Sequence, residues 1–189
     1  MDEIALLAEY YELLERWNSK INLTALQLAR FPDETLDKLI IEPIAVAGII
    51  DDTVRTWFDL GSGGGSPAIP LKIMRPKPDL TMVESRSRKS AFLREVTRSL
   101  DLLNASVLTG RIEELRQTGP WQTADLVTVR AVRIDRVLVG SSASLLVRGG
   151  RLVVFGGASP PDMENFPFVY GGSSRLPTTG SSIHQFVRR

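Results

Sequence analysis

The chain has 189 residues, 43% of them apolar and 24% charged, with a formal net charge of +1 and an isoelectric point near 8.1. That length supplies one domain with a full core and at most a small extension, and the charge balance excludes a global basic field for nucleic acid, so RNA affinity would need local clustering. The absence of cysteine excludes disulfides and thiolate metal sites, and a single histidine, His184, excludes a His-rich one. No metal is expected. Neither a signal-peptide pattern nor an apolar run of roughly 18 residues occurs, so a cytoplasmic location is expected.

In chain order, residues 2–17 carry Leu6, Leu7, Tyr10, Leu13, Leu14 and Trp17 at three- and four-residue spacings, with Glu9, Glu12, Glu15 and Arg16 on other faces. This predicts an amphipathic helix packed on the domain's own core. Polar turn formers over 18–25 interrupt it. Asp33-Glu34-Thr35 after Pro32 can start another helix, and Leu36 to Ile50 is apolar enough for a buried helix or pair of helices around Pro43. Residues 1–50 are therefore expected to form an N-terminal helical extension in front of a main domain at 51–189.

From Thr56 onward strands and helices alternate: strand 56–60, helix 67–75 stopped by Pro76-Lys77-Pro78, and strand 80–84. A helix from Arg88 to Asp101 follows, with Ser85 or Ser87 as N-cap and Phe92, Leu93, Val96 and Leu100 facing inward. Next come strand 105–108, a turn into a short helix over 109–115, and strand 124–129. A helix through Val137, Leu138 and Leu145-Leu146-Val147 precedes strand 151–155. This alternation predicts an α/β fold, a mostly parallel sheet with helices on both faces. The tail, 156–189, holds two β-like runs, 167–170 and 183–187, which fit a hairpin closing the sheet edge or partial disorder. His184 reads as an ordinary strand or surface histidine.

The first strand runs into Asp59-Leu60-Gly61-Ser62-Gly63-Gly64-Gly65-Ser66-Pro67, a glycine turn opening a helix, as at the nucleotide-binding corner of an open α/β sheet. A dinucleotide fingerprint, G-x-G-x-x-G, would need glycine where Ser66 stands. The spacing Asp59-x-Gly61-x-Gly63-x-Gly65 instead resembles the first motif of Rossmann-like class I S-adenosylmethionine (SAM)-dependent methyltransferases. Glu84, ending the second strand, is placed to accept hydrogen bonds from ribose hydroxyls. Three basic groups stand out: Arg86, Arg88, Lys89, Arg94 and Arg98 along one helix; Arg130, Arg133 and Arg136 after the fourth strand; and Lys72, Arg75 and Lys77 beyond the glycine turn. Parallel strands share one C-terminal edge, which would bring Arg86, Arg88 and Arg130 to the ligand crevice. Such a rim is either a footprint for a nucleic-acid backbone or a solvated helix face.

Ordered matches carry a more specific resemblance. They are Trp17-Asn18-x-Lys20-Ile21-Asn22-Leu23-Thr24, Asp59 to Gly65 with Pro67, Ile69, Pro70 and Leu71, Glu84-Ser85, Phe92-Leu93-Arg94, Gly110-Arg111-Ile112-Glu113-Glu114, Thr128-Val129-Arg130-Ala131-Val132 and Gly149-Gly150-Arg151-Leu152. Together they resemble the bacterial 16S (small-subunit) ribosomal RNA guanine-N7 methyltransferases, the glucose-inhibited division protein B family. The resemblance implies S-adenosylmethionine as cofactor, bound by Asp59, Gly61, Ser62, Gly63, Gly65, Ser66, Glu84, Ser85, Ile112, Glu113 and Arg130. Arg130 would meet the methionine carboxylate or an RNA phosphate. Arg86, Arg88, Lys89 and Arg133 would serve RNA, and the partner would be 16S rRNA or the 30S subunit, with the protein acting as a monomer. Guanine N7 is a neutral ring nitrogen with a free lone pair, so alignment and electrostatics, with Arg130 the one side chain that could contribute, replace a general base.

Departures from the family pattern are Ser66-Pro67-Ala68 after the loop, Leu36-Asp37-Lys38-Leu39-Ile40 before the domain, Phe155-Gly156-Gly157 after the fifth strand, and a shortened tail. They leave two alternatives open. One is a methyltransferase of the same fold acting on another RNA or a small molecule. The other is a catalytically idle, cofactor-binding module associated with RNA or ribosomes.

Overall fold

The structure, a computed structural model, describes residues 2–113, 123–176 and 180–189. Its centre is a seven-stranded sheet of order β3-β2-β1-β4-β5-β7-β6. The strands are β1 (Thr56–Leu60), β2 (Asp79–Glu84), β3 (Ala105–Thr109), β4 (Ala124–Arg130), β5 (Leu146–Phe155), β6 (Phe168–Arg175) and β7 (Ser182–Arg188). β1 to β5 pair in parallel, whereas β7 runs antiparallel to both β5 and β6. This is the mostly parallel sheet that the alternation predicts.

Two cores flank the sheet, and the pleat of β1 assigns its residues between them. Trp57 joins Tyr10, Leu14, Ile69, Leu71, Phe92 and Leu93 on one face. Phe58 and Leu60 join Val127, Val129, Leu138 and Phe186 on the other. The first face is covered by α1 (Glu3–Asn18), α4 (Ala68–Met74) and α5 (Ser87–Ser99), the second by α6 (Arg136–Leu145). Helix α1 starts where the Asp2 carboxylate accepts the Ala5 amide at 2.7 Å, and it buries Tyr10, Tyr11, Leu13 and Leu14.

Of the buried helix or pair of helices expected around Pro43, residues 33–49 take the first. They form one run: α2 (Asp33–Leu36), a π-helical stretch (Asp37–Ile41), α3 (Glu42–Ala45) and a 3₁₀ turn (Ala47–Ile49). Proline cannot donate to the carbonyl four residues back and crowds it, so the Leu39 carbonyl is left over. It accepts the Ser66 hydroxyl at 2.8 Å instead.

Two local expectations are corrected. Neither Ser85 nor Ser87 caps α5; the N-cap is Arg86, without a side-chain cap, and the Glu84 carboxylate takes the Arg86 amide at 2.8 Å. Leu146 and Val147 belong to β5 rather than to the preceding helix, whose start is fixed by the Asp135 carboxylate accepting the Val137 and Leu138 amides. Of the two readings of His184, strand or surface, the strand one holds: it is buried in β7, its Nδ1 lying 2.5 Å from Ser173 Oγ and its Nε2 3.3 Å from the Gly157 carbonyl. The short helix expected over 109–115 begins at Ile112 and Glu113, and residues 114 and 115 lie outside the described ones. Among the described residues, no helix is long and apolar enough to cross a membrane.

Candidate functional site

β1 to β4 are parallel, so Leu60, Glu84, Thr109 and Arg130 end at one edge. The glycine loop between β1 and α4 is drawn toward β2 there. Gly61 and Ser62 donate their amides to the Val83 carbonyl at 2.8 and 3.1 Å. Glu84 then acts as a hub: Oε2 accepts the Gly63 amide at 3.0 Å, Oε1 the Arg86 amide, and its main-chain carbonyl the Gly110 amide at 3.1 Å.

Two glycines of the loop are dictated by packing as well as by backbone. Gly61 has φ +76°, and a Cβ there would lie 2.4 Å from Val132 Cγ1. Gly65 has φ +90°, and its Cβ would lie 2.8 Å from Ile69 Cγ1. Both conformations exclude ordinary L residues. Among the described residues, a Cβ added at Gly63 would meet only the Gly61 carbonyl oxygen, at 3.7 Å, which leaves that side of the loop open.

Asp59 and Ser62 lie beneath the loop, both buried. Thr128, the cross-strand partner of Asp59, donates its hydroxyl to Asp59 Oδ1 at 2.5 Å, and Trp57 Nε1 donates to that hydroxyl at 2.9 Å. Ser62 Oγ donates to the Asp59 main-chain carbonyl at 3.0 Å. Burial pushes the Asp59 carboxyl up to about 6, against the opposing pull of the Thr128 and Ser62 hydroxyls.

The N-terminal segment grips this loop at two points and the end of β4 at a third. Tyr10 donates its hydroxyl to the Gly64 carbonyl at 2.7 Å, Ser66 reaches Leu39 as described, and Arg130 Nη2 pairs with Glu42 Oε2 at 2.6 Å. Burial raises the Tyr10 hydroxyl far above the usual tyrosine range, with the Arg130 charge opposing and the Asp59 charge adding. Tyr10 thus stays a donor. The Glu42 and Arg130 side chains are only 3% and 16% exposed, so Arg130 is not a free rim charge. Reading the sequence alone missed Tyr10, Glu42 and Thr128. A signal for Glu42 was present, because it is the lone charge within Leu39-Ile40-Ile41-Glu42-Pro43-Ile44.

A cleft of about 400 Å³ opens beside Arg130, walled by Val132, Ile134, Phe155, Gly156 and Gly157 at the ends of β4 and β5. A larger groove of about 520 Å³ lies at the other edge, around Asp51, Arg55, Arg75, Lys77 and Asp79. We place the site at the first, because ligands of open α/β sheets bind beyond the strand C-termini and the glycine loop is there.

The basic groups separate accordingly. Arg86, Arg88 and Arg133 are exposed, and Lys89 is half-buried with Nζ 3.4 Å from the Leu23 carbonyl. Arg94 is bound to Thr109 Oγ1 at 2.6 Å, and Arg98 to Glu95. The third group does not join the rim. Lys72 is buried and donates to the Pro76 and Pro78 carbonyls at 2.7 and 2.6 Å, burial lowering its ammonium to about 8. Arg75 and Lys77 line the opposite groove. Ser85 and Glu113 are exposed, and Ile112 packs half-buried against the second core.

Comparison with known proteins agrees with this architecture. The cofactor-bound Rv0187 protein from MTB superposes with a TM-score of 0.68 at 16% identity, covering 98% of this chain and 90% of that one, a likeness of fold. A ribosomal RNA small subunit methyltransferase G from Pseudomonas entomophila is 38% identical over 116 residues, 61% of this chain and 52% of its own. The protein of that name from Xanthomonas euvesicatoria pv. vesicatoria is 37% identical over 156 residues, 82% and 69% of the two chains. The chain thus spans about half the length of the Pseudomonas relative. The family model described as rRNA small subunit methyltransferase G matches residues 3–165, and with the glycine loop, Glu84 and Arg130 all inside that match, the chain belongs to the rRNA small subunit methyltransferase G family.

Proposed function

We propose that this protein transfers a methyl group from S-adenosylmethionine to guanine N7 of small-subunit ribosomal RNA. The observation that carries the reading is the hub at Glu84, which fixes the glycine loop at the C-terminal edge of a parallel sheet in a member of this family. The residues fit the cofactor. Each Glu84 carboxylate oxygen has accepted one amide and keeps a further lone pair, leaving capacity for ribose hydroxyls, and the open side of Gly63 admits a ligand close to the main chain. Gly61, Gly63, Gly65 and Ser66 would cradle it, Ile112 would flank the adenine, and Glu113 or Ser85 would approach its polar edge.

S-adenosylmethionine supplies an already activated methyl group. The chain's part is to bind, align and shield. The cleft of about 400 Å³ beside Arg130, with its apolar wall of Val132, Ile134 and Phe155, is suited to hold a base and exclude water. No residue is needed to remove a proton from N7. Arg86, Arg88, Lys89 and Arg133 would contact the RNA backbone outside the cleft. In this reading residues 51–189 form the methyltransferase domain and residues 1–50 an extension that braces it, acting as a monomer in the cytoplasm, without a metal, on 16S rRNA or the 30S subunit.

The test is transfer of labelled methyl from S-adenosylmethionine to purified 30S subunits and to extracted RNA, followed by cleavage at 7-methylguanine. Label at such a site, lost in Gly63→Val, supports the reading. Cofactor binding with no label in RNA refutes the acceptor and directs attention to another RNA or a small molecule.

A further inference from the structure

Where the chain leaves β5, the cleft wall is main chain without side chains. Gly156 and Gly157 both line the cleft, and both take left-handed backbone, φ +97° and +87°, which favours glycine. Residues without side chains cannot be held by packing, so their place depends on hydrogen bonds to their own amides and carbonyls. Among the described residues, β7 supplies these bonds. The Gly156 amide donates to the Ser182 carbonyl at 2.9 Å, and the Gly157 carbonyl lies 3.3 Å from His184 Nε2. The sheet order β2-β1-β4-β5 sets this wall three strand spacings from the Glu84 hub, about 14 Å, on the side of the crevice left for a methyl acceptor.

The other ring nitrogen decides which way His184 faces its partners. Nδ1 lies 2.5 Å from Ser173 Oγ, and Ser173 Oγ is itself hydrogen-bonded to the Tyr170 hydroxyl. A carbonyl only accepts, so Nε2 must carry a proton to bond Gly157. In the neutral ring Nδ1 then accepts the Ser173 hydroxyl, and Ser173 Oγ accepts the hydroxyl of Tyr170. One polarity, from Tyr170 through Ser173 and His184 to Gly157, satisfies every member. The chain of bonds starts on β6, where Tyr170 and Ser173 are exposed, and ends at the cleft. A residue needed only to fill β7 could be apolar, as Ile183 and Phe186 are beside it; a buried ring with both nitrogens on partners is there to make bonds.

We propose that His184 is a positioning residue for the methyl acceptor: by holding the Gly157 carbonyl, it fixes the wall against which the acceptor base rests. This inference rests on reading the cleft as the pocket for that base. Methyl transfer needs the acceptor nitrogen in line with the sulfonium methyl, and a misplacement of about 1 Å caused away from the chemistry can cost roughly 100-fold in rate. His184 acts through Gly157 and leaves the cofactor's seat at the glycine loop untouched.

Glutamine and asparagine divide the ring's two functions between them. A glutamine amide nitrogen reaches about as far as Nε2 and can donate to Gly157, whereas asparagine reaches only as far as Nδ1 and can serve Ser173 alone. Methyl transfer to 30S subunits is measured for the wild type, His184→Gln and His184→Asn, with urea unfolding and calorimetric titration of S-adenosylhomocysteine alongside. His184→Asn should lower kcat roughly 10–100-fold and His184→Gln by less than about three-fold, while all three bind S-adenosylhomocysteine equally well. Equal losses in the two variants, in step with lost stability in urea, would reduce His184 to a packing residue and overturn the proposal. Should both variants unfold, the wild type itself serves. It has one histidine, so nitrogen NMR reports that ring alone, and a neutral ring protonated at Nδ1 rather than Nε2 would overturn the hold on Gly157. Ser173→Ala, on exposed β6, should let the proton pass in part to Nδ1 and lower kcat in proportion to the Nε2-protonated form lost; a changed tautomer with unchanged kcat would overturn the role. A wild type that binds S-adenosylhomocysteine but transfers no methyl group would overturn the acceptor reading and the positioning role together, a result distinct from any confined to the variants.

Discussion

Asp59 offers a direct physical test of the site's foundations. Its carboxyl is 1% exposed and burial lifts it from 3.8 to about 6. A folded-state value above the unfolded one means that the folded protein binds the proton more tightly. The stability it contributes is therefore intact below the unfolded value and lost as pH rises through the folded one. A difference of roughly two pKa units corresponds to about 3 kcal/mol lost by pH 7, most of it between about pH 4 and 6. Asp59→Asn removes the titration but keeps an oxygen for the Thr128 hydroxyl. The new amide group needs an acceptor, which adds an offset of about 1–3 kcal/mol, but that offset does not vary with pH. The assay is urea unfolding of wild type and Asp59→Asn across this range. Titrating groups that do not interact with Asp59 cancel in the difference, so the wild type should lose roughly 2–3 kcal/mol relative to the variant between about pH 4 and 7. A difference that stays flat, or that moves in the wild type's favour as pH rises, would refute a carboxylate held at a cost beneath the loop.

Other perturbations probe the loop and the rim. Gly61→Ala places a methyl group against Val132 in a left-handed conformation and should destabilise by about 2–4 kcal/mol in urea unfolding; adding Val132→Ala should recover the packing part of that loss. Tyr10→Phe removes the hydroxyl that holds Gly64 and should cost about 1 kcal/mol, with weaker S-adenosylhomocysteine binding in the same titrations. Arg86→Ala/Arg88→Ala should lower RNA affinity and flatten the slope of log K against log salt by about 1.4–1.8, while S-adenosylhomocysteine binding stays at the wild-type level.

The parts legible in the sequence were those written in local pattern. Continuous apolar runs such as Trp57-Phe58 and Leu126-Val127 announce strands buried on both faces, and a glycine turn between a strand and a helix announces the crevice. Boundaries were less legible where one apolar run serves two elements: Leu145 ends α6 and Leu146 begins β5, with nothing in either side chain to tell them apart. Capping by Ser85 or Ser87 was a fair expectation from propensity, and nothing in the local sequence marks Arg86 as the residue at which α5 starts. The grip of the N-terminal segment was legible only in the lone charge of Glu42 within its apolar run, and its partners were not legible. Tyr10, Glu42 and Ser66 find partners far along the chain, and which carbonyl or guanidinium they meet is decided by how α1 and α3 pack on the sheet.

That grip bears on how the molecule assembles. Tyr10 and Gly64 are separated by 54 residues, and Glu42 and Arg130 by 88. Contacts of such long span form late, since the chain between them must first be ordered. During synthesis, Glu42 has no counter-charge until β4 has been made. Newly made chains should therefore acquire a collapsed sheet before a working crevice, and the ion pair should report the final step of maturation rather than the first.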